Sequence, residues 1–99
     1  MGTDKPVVLM VDDDREIREM ATTYFQEVHG HQFVAANSFD EAVRVIHDTP
    51  GQIVAFVDIH LKGGNKSGLD LLRYIQANAS HRVVPYAFTT DPILEGAIR

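Results

Sequence analysis

The run Ile53-Val54-Ala55-Phe56-Val57 stops at Asp58, and no other stretch restricts the fold as tightly. It is too short for a core helix and lies between Pro50-Gly51 and a Gly63-Gly64 loop. Such a run predicts a strand buried on both faces, the kind found in parallel sheets covered by helices. Asp58 then stands at the carboxyl end of its strand, where open α/β sheets bind ligands. An earlier strand, from about Pro6 to Val11, ends the same way, in Asp12-Asp13-Asp14.

The rest of the chain fits helices between strands. Asp14 caps a helix from Arg15 to about Val28, with Ile17, Met20, Ala21, Tyr24, Phe25 and Val28 on one apolar stripe. Gly30 ends it, and a short strand follows over about Gln32 to Ala36. Ser38-Phe39-Asp40-Glu41 is a capping box, opening a helix to about His47 with Ala42, Val45 and Ile46 inward. Thr49-Pro50-Gly51 breaks that helix ahead of the buried strand. Ser67, with Asp70 three residues on, caps a helix through about Asn78, with Leu69, Leu72 and Ile75 on its buried side. A fourth strand covers about Val83 to Thr89, and Asp91-Pro92 opens a further helix.

Strand and helix alternating four times imply a doubly wound α/β fold with a parallel sheet. The flavodoxin-like order 2-1-3-4(-5) makes the first and third strands neighbours and brings Asp12, Asp13 and Asp58 to one place. Sequence favours that order over others without fixing it.

Bulk properties narrow the function. Ninety-nine residues make one domain, spanning 1–99. A net charge of −5 gives no basis for direct nucleic-acid binding or for attraction to a membrane surface. No apolar run approaches the roughly 18 residues of a membrane span, and no signal segment opens the chain, so a cytoplasmic protein is expected. The absence of cysteine excludes disulfides, thiolate metal sites and a cysteine nucleophile.

Carboxylates gathered at two strand ends repel one another and raise each other's pKa, and a hard divalent cation relieves that repulsion. Mg2+ suits a site of one or two carboxylates that shares its remaining positions with water and phosphate oxygens. One carboxylate then serves as nucleophile toward a phosphoryl group, giving an aspartyl phosphate. A hydroxyl at the end of the fourth strand, Thr89 or Thr90, is placed to donate to a phosphoryl oxygen. A single Asp after a strand is usually only a cap, and Asp14, Asp40, Asp48, Asp70 and Asp91 are left as such. Caps do not require an acidic doublet after one buried strand and a lone Asp ending another. His29 and His31 flank Gly30 in a solvated turn, His47 and His81 have nothing to pair with, and His60 overhangs the proposed site. The Gly63-Gly64 loop lacks the phosphate-loop spacing.

These residues resemble a response-regulator receiver domain of two-component signalling. The resemblance runs through Val8-Leu9-Met10-Val11-Asp12-Asp13-Asp14, Val57-Asp58-Ile59-His60-Leu61, Gly68-Leu69-Asp70-Leu71-Leu72, and Val84-Pro85 with Thr89-Thr90. It implies that Asp58 is the phosphoacceptor, loaded from the phosphohistidine of a histidine kinase or phosphotransfer protein. It implies Mg2+ held by Asp13, by Asp12 largely through water, by Asp58 and by the backbone carbonyl of His60. The switch hydroxyl is Thr90 if counted from Pro85 and Thr89 if the Asp91-Pro92 end is the anchor, with Thr89 the better fit.

Three departures stand out. Lys62 occupies the family's usual proline position, and Gly68 comes about two residues late. The family's fifth strand, fifth helix and phosphoryl-pairing lysine are not in the sequence, and none of Lys5, Lys62 or Lys66 lies where that lysine belongs. The domain is therefore expected either to be cut short at its C-terminus or to signal by another route. An open sheet edge is expected with it, leading to a homodimer, a sheet-completing partner or poor stability. Two alternatives remain. One is a haloacid-dehalogenase-type phosphohydrolase with Asp12 as nucleophile, disfavoured because Glu16 stands where that motif needs Thr or Val. The other is a pseudo-receiver that binds partners without being phosphorylated.

Overall fold

The structure, a computed structural model, describes residues 5–62 and 65–89, so Thr90 and the helix expected from Asp91-Pro92 lie outside the described residues. The elements are β1 (Val7–Val11), α1 (Arg15–Thr22, continued by Thr23–Val28), β2 (Phe33–Ala36), α2 (Phe39–Asp48), β3 (Ile53–Asp58), α3 (Gly68–Asn78) and β4 (Val83–Phe88). All pairings are parallel and the order is β2-β1-β3-β4. The two most apolar strands take the centre, and the flavodoxin-like expectation holds.

One face of the sheet carries the main core. Leu9, Val11, Ala36, Ile53, Ala55 and Val57 pack with Ala42 and Ile46 of α2 and Leu71 and Ile75 of α3. Burying each large aliphatic side chain there contributes about 1.5–3 kcal/mol. The expected inward set of α3 needs one correction, because Leu71 is buried and Leu69 is half exposed. Gly68, Leu71, Ile75 and Ala79 are buried against the sheet, Leu72 packs beside them as expected, and Leu69 falls a third of a turn outside that row.

The first helix also differs from its predicted form. Its last six residues, Thr23–Val28, take wider π-helical turns. Thr22 donates its hydroxyl to Arg18 O at 2.8 Å, a bond that bends helices, and His31 N–H reaches back to Phe25 O at 2.8 Å. The predicted single stripe is in fact two ridges. Ile17, Ala21 and Phe25 turn toward the sheet, while Met20, Tyr24 and Val28 stay exposed. Phe25 stacks on Phe33 and Phe56, with centroids 5.6 and 5.5 Å away, and Phe56 stacks in turn on Tyr86.

Helix starts follow the sequence closely. Asp14 caps α1 by accepting from Glu16 N–H. Ser67 and Asp70 form the complete reciprocal box on α3, and the Ser67 N–H holds the Asp70 carboxyl below its usual pKa. The box on α2 closes only by half. Ser38 Oγ accepts from Glu41 N–H, but the Glu41 carboxylate takes the N–H of Asn37 instead of Ser38.

Among the described residues, β4 lies at the edge of the sheet, as expected. Val84 and Tyr86 are about half exposed, and among the described residues β4 pairs only with β3. Pro85 sits in this strand, where a missing N–H is tolerated.

Arg82 was not anticipated. Its guanidinium donates to Ile46 O at 2.6 Å, Thr49 O at 2.8 Å and Gly51 O at 3.3 Å. It thus collects the carbonyls at the negative end of α2 and ties them to the start of β4. Arg82→Ala is expected to cost about 2 kcal/mol of stability by urea unfolding, the scale of charged hydrogen bonds. Arg82→Lys should recover only part of it, because one ammonium cannot fork among three acceptors. An unchanged midpoint in Arg82→Ala would remove this role.

Candidate functional site

Pairing Val11 with Val57 in adjacent parallel strands leaves both chains to emerge side by side, and the next residue on each is an aspartate. Asp12 is completely buried and Asp58 is 2% exposed, while Asp13 is half-buried. One carboxylate oxygen from each of Asp12, Asp13 and Asp58 lies within 4.8 Å of the others. The sequence-predicted acids are thus brought together, and Asp14 is turned away to its cap.

Backbone donors hold each carboxylate. Asp12 Oδ1 accepts from Asp14 N–H at 2.8 Å, and Asp58 Oδ1 accepts from His60 N–H at 2.9 Å. Asp13 Oδ2 accepts from Lys62 N–H at 3.1 Å, across the strand ends. Arg18 donates to the backbone carbonyl of Asp12, at 2.9 Å, and so braces the chain there.

The second oxygen of Asp12, Oδ2, is buried with no hydrogen-bond partner. Burial is the main reason its pKa is pushed up to about 6, with Asp58, Asp13 and Asp14 adding like-charge repulsion against the lowering effect of the Asp14 N–H. A buried, unpaired carboxylate oxygen on an aspartate clustered with two more acids is what a hard cation satisfies, so the donor set fits Mg2+.

The remaining candidates take different places. His60 offers its backbone N–H to Asp58, and its ring Nε2 is buried without a partner. The register Asp58↔Phe88, with Ile59 N–H bonded to Phe88 O at 3.0 Å, puts Thr89 at the next position along. Thr89 is half-buried. His29 and His31 lie in the turn, with His29 edge-on to Tyr24 and His31 tilted against Phe25. His47, expected to be alone, places Nδ1 2.9 Å from Asp48 Oδ1 on the exposed surface. Adjacency of an acid in sequence was the signal for that pair.

Gly68 is a further determinant that the sequence showed only as the opening of a helix. A Cβ there would overlap the carbonyl oxygen of Asp58 and come within 2.7 Å of Asp58 C and Ile59 Cα. Helix α3 therefore rests directly on the backbone that carries Asp58.

Among known proteins, no family model and no curated protein matches the chain. Solved structures do. A response regulator receiver protein from Pseudomonas putida is 30% identical over 97% of this chain and 77% of that one, with a TM-score of 0.69. The receiver domain of a Francisella response regulator is 26% identical over 95% and 77% of the two chains, TM-score 0.67. The response regulator TrrA from Thermotoga maritima, solved with Mg2+ and BeF, is 22% identical over 95% and 97%, TM-score 0.65.

Sheet order and these likenesses define a signalling domain of the receiver class. The chain belongs to the response regulator receiver family. Among the described residues, no helix is long and apolar enough to cross a membrane.

Gly68→Ala is expected to destabilise the fold by about 1–3 kcal/mol or more, because backbone atoms must move to admit the methyl. Thermal unfolding at the wild-type temperature would refute the contact. Asp12→Asn should stabilise the metal-free protein above pH 6, by up to about 3 kcal/mol for a shift of this size. The folded pKa is raised, so the cost of the charged form is complete above about 6 and fades as pH falls toward the ordinary value of 3.8. The advantage of the variant should shrink over that window. A gap as wide at pH 4.5 as at pH 7.5, measured in chelator, would contradict it.

Proposed function

We propose that this receiver domain takes a phosphoryl group onto Asp58 from the phosphohistidine of a histidine kinase or phosphotransfer protein, in a Mg2+-dependent reaction, and signals by changing conformation. The observation that carries the proposal is the gathering of one carboxylate oxygen from each of three aspartates within 4.8 Å, in a cluster where Asp12 Oδ2 is buried without a partner.

Asp12, Asp13 and Asp58 would hold the ion, with the backbone carbonyl of His60 as a further oxygen. Bound there, Mg2+ supplies positive charge that lets carboxylates and phosphoryl oxygens coexist. Asp58 needs no general base, since its nucleophile is already a carboxylate. His60 N–H fixes Oδ1, which leaves the other oxygen for attack on phosphorus. As that bond forms, the bond from phosphorus to the donor imidazole breaks and the imidazole leaves.

The hydroxyl of Thr89 or Thr90 then donates to a phosphoryl oxygen and draws the end of β4 with it. New charge on Asp58 can shift a two-state equilibrium only by interacting differently with the two states, and a hydroxyl that swings provides the difference. A cytoplasmic location follows from the kinase partner this scheme requires.

Labelling by acetyl phosphate tests the scheme. Incorporation should need Mg2+, stop at one phosphoryl group per chain, be labile to base, and disappear in Asp58→Ala. Label retained in Asp58→Ala but lost in Asp12→Ala, with continuous turnover of a phosphomonoester, would instead support a phosphohydrolase using Asp12. No label at all in the presence of Mg2+ would leave an unphosphorylated interaction module.

A further inference from the structure

Each of the three acids has one oxygen anchored by a backbone N–H, but the anchors differ in kind. Those on Asp12 and Asp58 come from two residues farther along the same turn. Short Asx-type contacts of this sort form wherever the local backbone permits. The anchor on Asp13 comes from Lys62, 49 residues away. Asp13 is also the least buried of the three.

We propose that the Lys62 backbone N–H is a positioning group that aims the Asp13 carboxylate at the metal, so that the loop after β3 sets the affinity of the site. The inference rests on the Mg2+ site of the proposed function. Binding the N–H through Oδ2 leaves Oδ1 of Asp13 to turn toward Asp12 and Asp58. Outer hydrogen bonds of this type orient ligating carboxylates, and their loss typically weakens metal binding about 10–100-fold.

The loop is suited to holding that N–H still. Leu61, just before it, is buried in the core. Farther along the chain, the Lys66 ammonium lies 4.8 Å from the centre of the Phe39 ring, and Ser67 begins the capping box of α3. The Lys62 residue itself is exposed, so the contact depends on its amide and not on its ammonium. Every residue type except proline can supply that amide. The proline that the family resemblance leads one to expect here would abolish the contact.

Two substitutions separate amide from ammonium. Mg2+ titration of the whole chain by calorimetry should find Lys62→Ala within about twofold of wild type and Lys62→Pro on the order of tenfold weaker. Equal affinity in Lys62→Pro and wild type would overturn the proposal, and so would equal weakening in Lys62→Ala and Lys62→Pro. Should Lys62→Pro fail to fold, amide exchange decides. The Lys62 N–H of the metal-free wild type should exchange more slowly than in Asp13→Ala, and identical rates would overturn the contact. Wild type that binds no Mg2+ defeats the metal site and this inference together, whereas tight binding unaffected by proline defeats the inference alone.

Discussion

Adjacent parallel pairing of β1 with β3 is the constraint on which the molecule's chemistry depends. Had the chain laid its strands down in sequence order, β2 would separate the two acidic ends by a further strand spacing, close to 5 Å. Placing β1 beside β3 moves β2 to the outside and sets Val11 level with Val57. The carboxylates that follow then converge. Hydrophobic burial drives this choice, since the two runs able to fill a sheet centre are Val7–Val11 and Ile53–Val57, and Leu9, Val11, Ala55 and Val57 are fully buried.

Convergence of like charges opposes folding, and the structure shows where the opposition is felt. Asp12 carries it, with its pKa pushed up to about 6 mainly by burial, and with one oxygen lacking any partner. Asp58 and Asp13 each have one oxygen held by a backbone N–H, and Asp13 is only half-buried. Burial of large side chains such as Leu9, Ile46, Leu71 and Ile75 where α2 and α3 meet the sheet offsets the cost of one such group. In the proposed Mg2+ site this unsatisfied oxygen would gain a partner.

Sequence revealed the parts of this arrangement that are written in side-chain type and periodicity. Alternation of buried runs and amphipathic stretches gave the order of elements, and acids at two strand ends located the site. What stayed hidden is written in backbone geometry. The clamp of Arg82 on three carbonyls depends on how α2 ends beside the start of β4, which no local pattern encodes. The N–H of Lys62 is common to nearly every residue, so nothing marks it until the loop is seen against Asp13. Leu69 and Leu71 are alike as letters, and only the seat of Gly68 on the Asp58 carbonyl decides which leucine turns inward. The helix after β1 misled for a related reason, since a shift to π-helical turns alters the phase that a 3.6-residue period assumes.

The distribution of packing across the sheet bears on how such a domain can respond. Among the described residues, α2 and α3 cover one face of the sheet, and the first helix covers the other near β1 and β2. On that second face the aromatic row Phe25, Phe56 and Tyr86 ends on a tyrosine that is 54% exposed. Segments with few buried contacts move at the lowest free-energy cost. Among the described residues the most exposed strand is the one that leads to Thr89, while Asp58 sits on a strand paired on both sides and held from beneath by Gly68. Under the proposed phosphorylation of Asp58, an exposed strand end beside a pinned one is where added charge would move something other than the site that binds it.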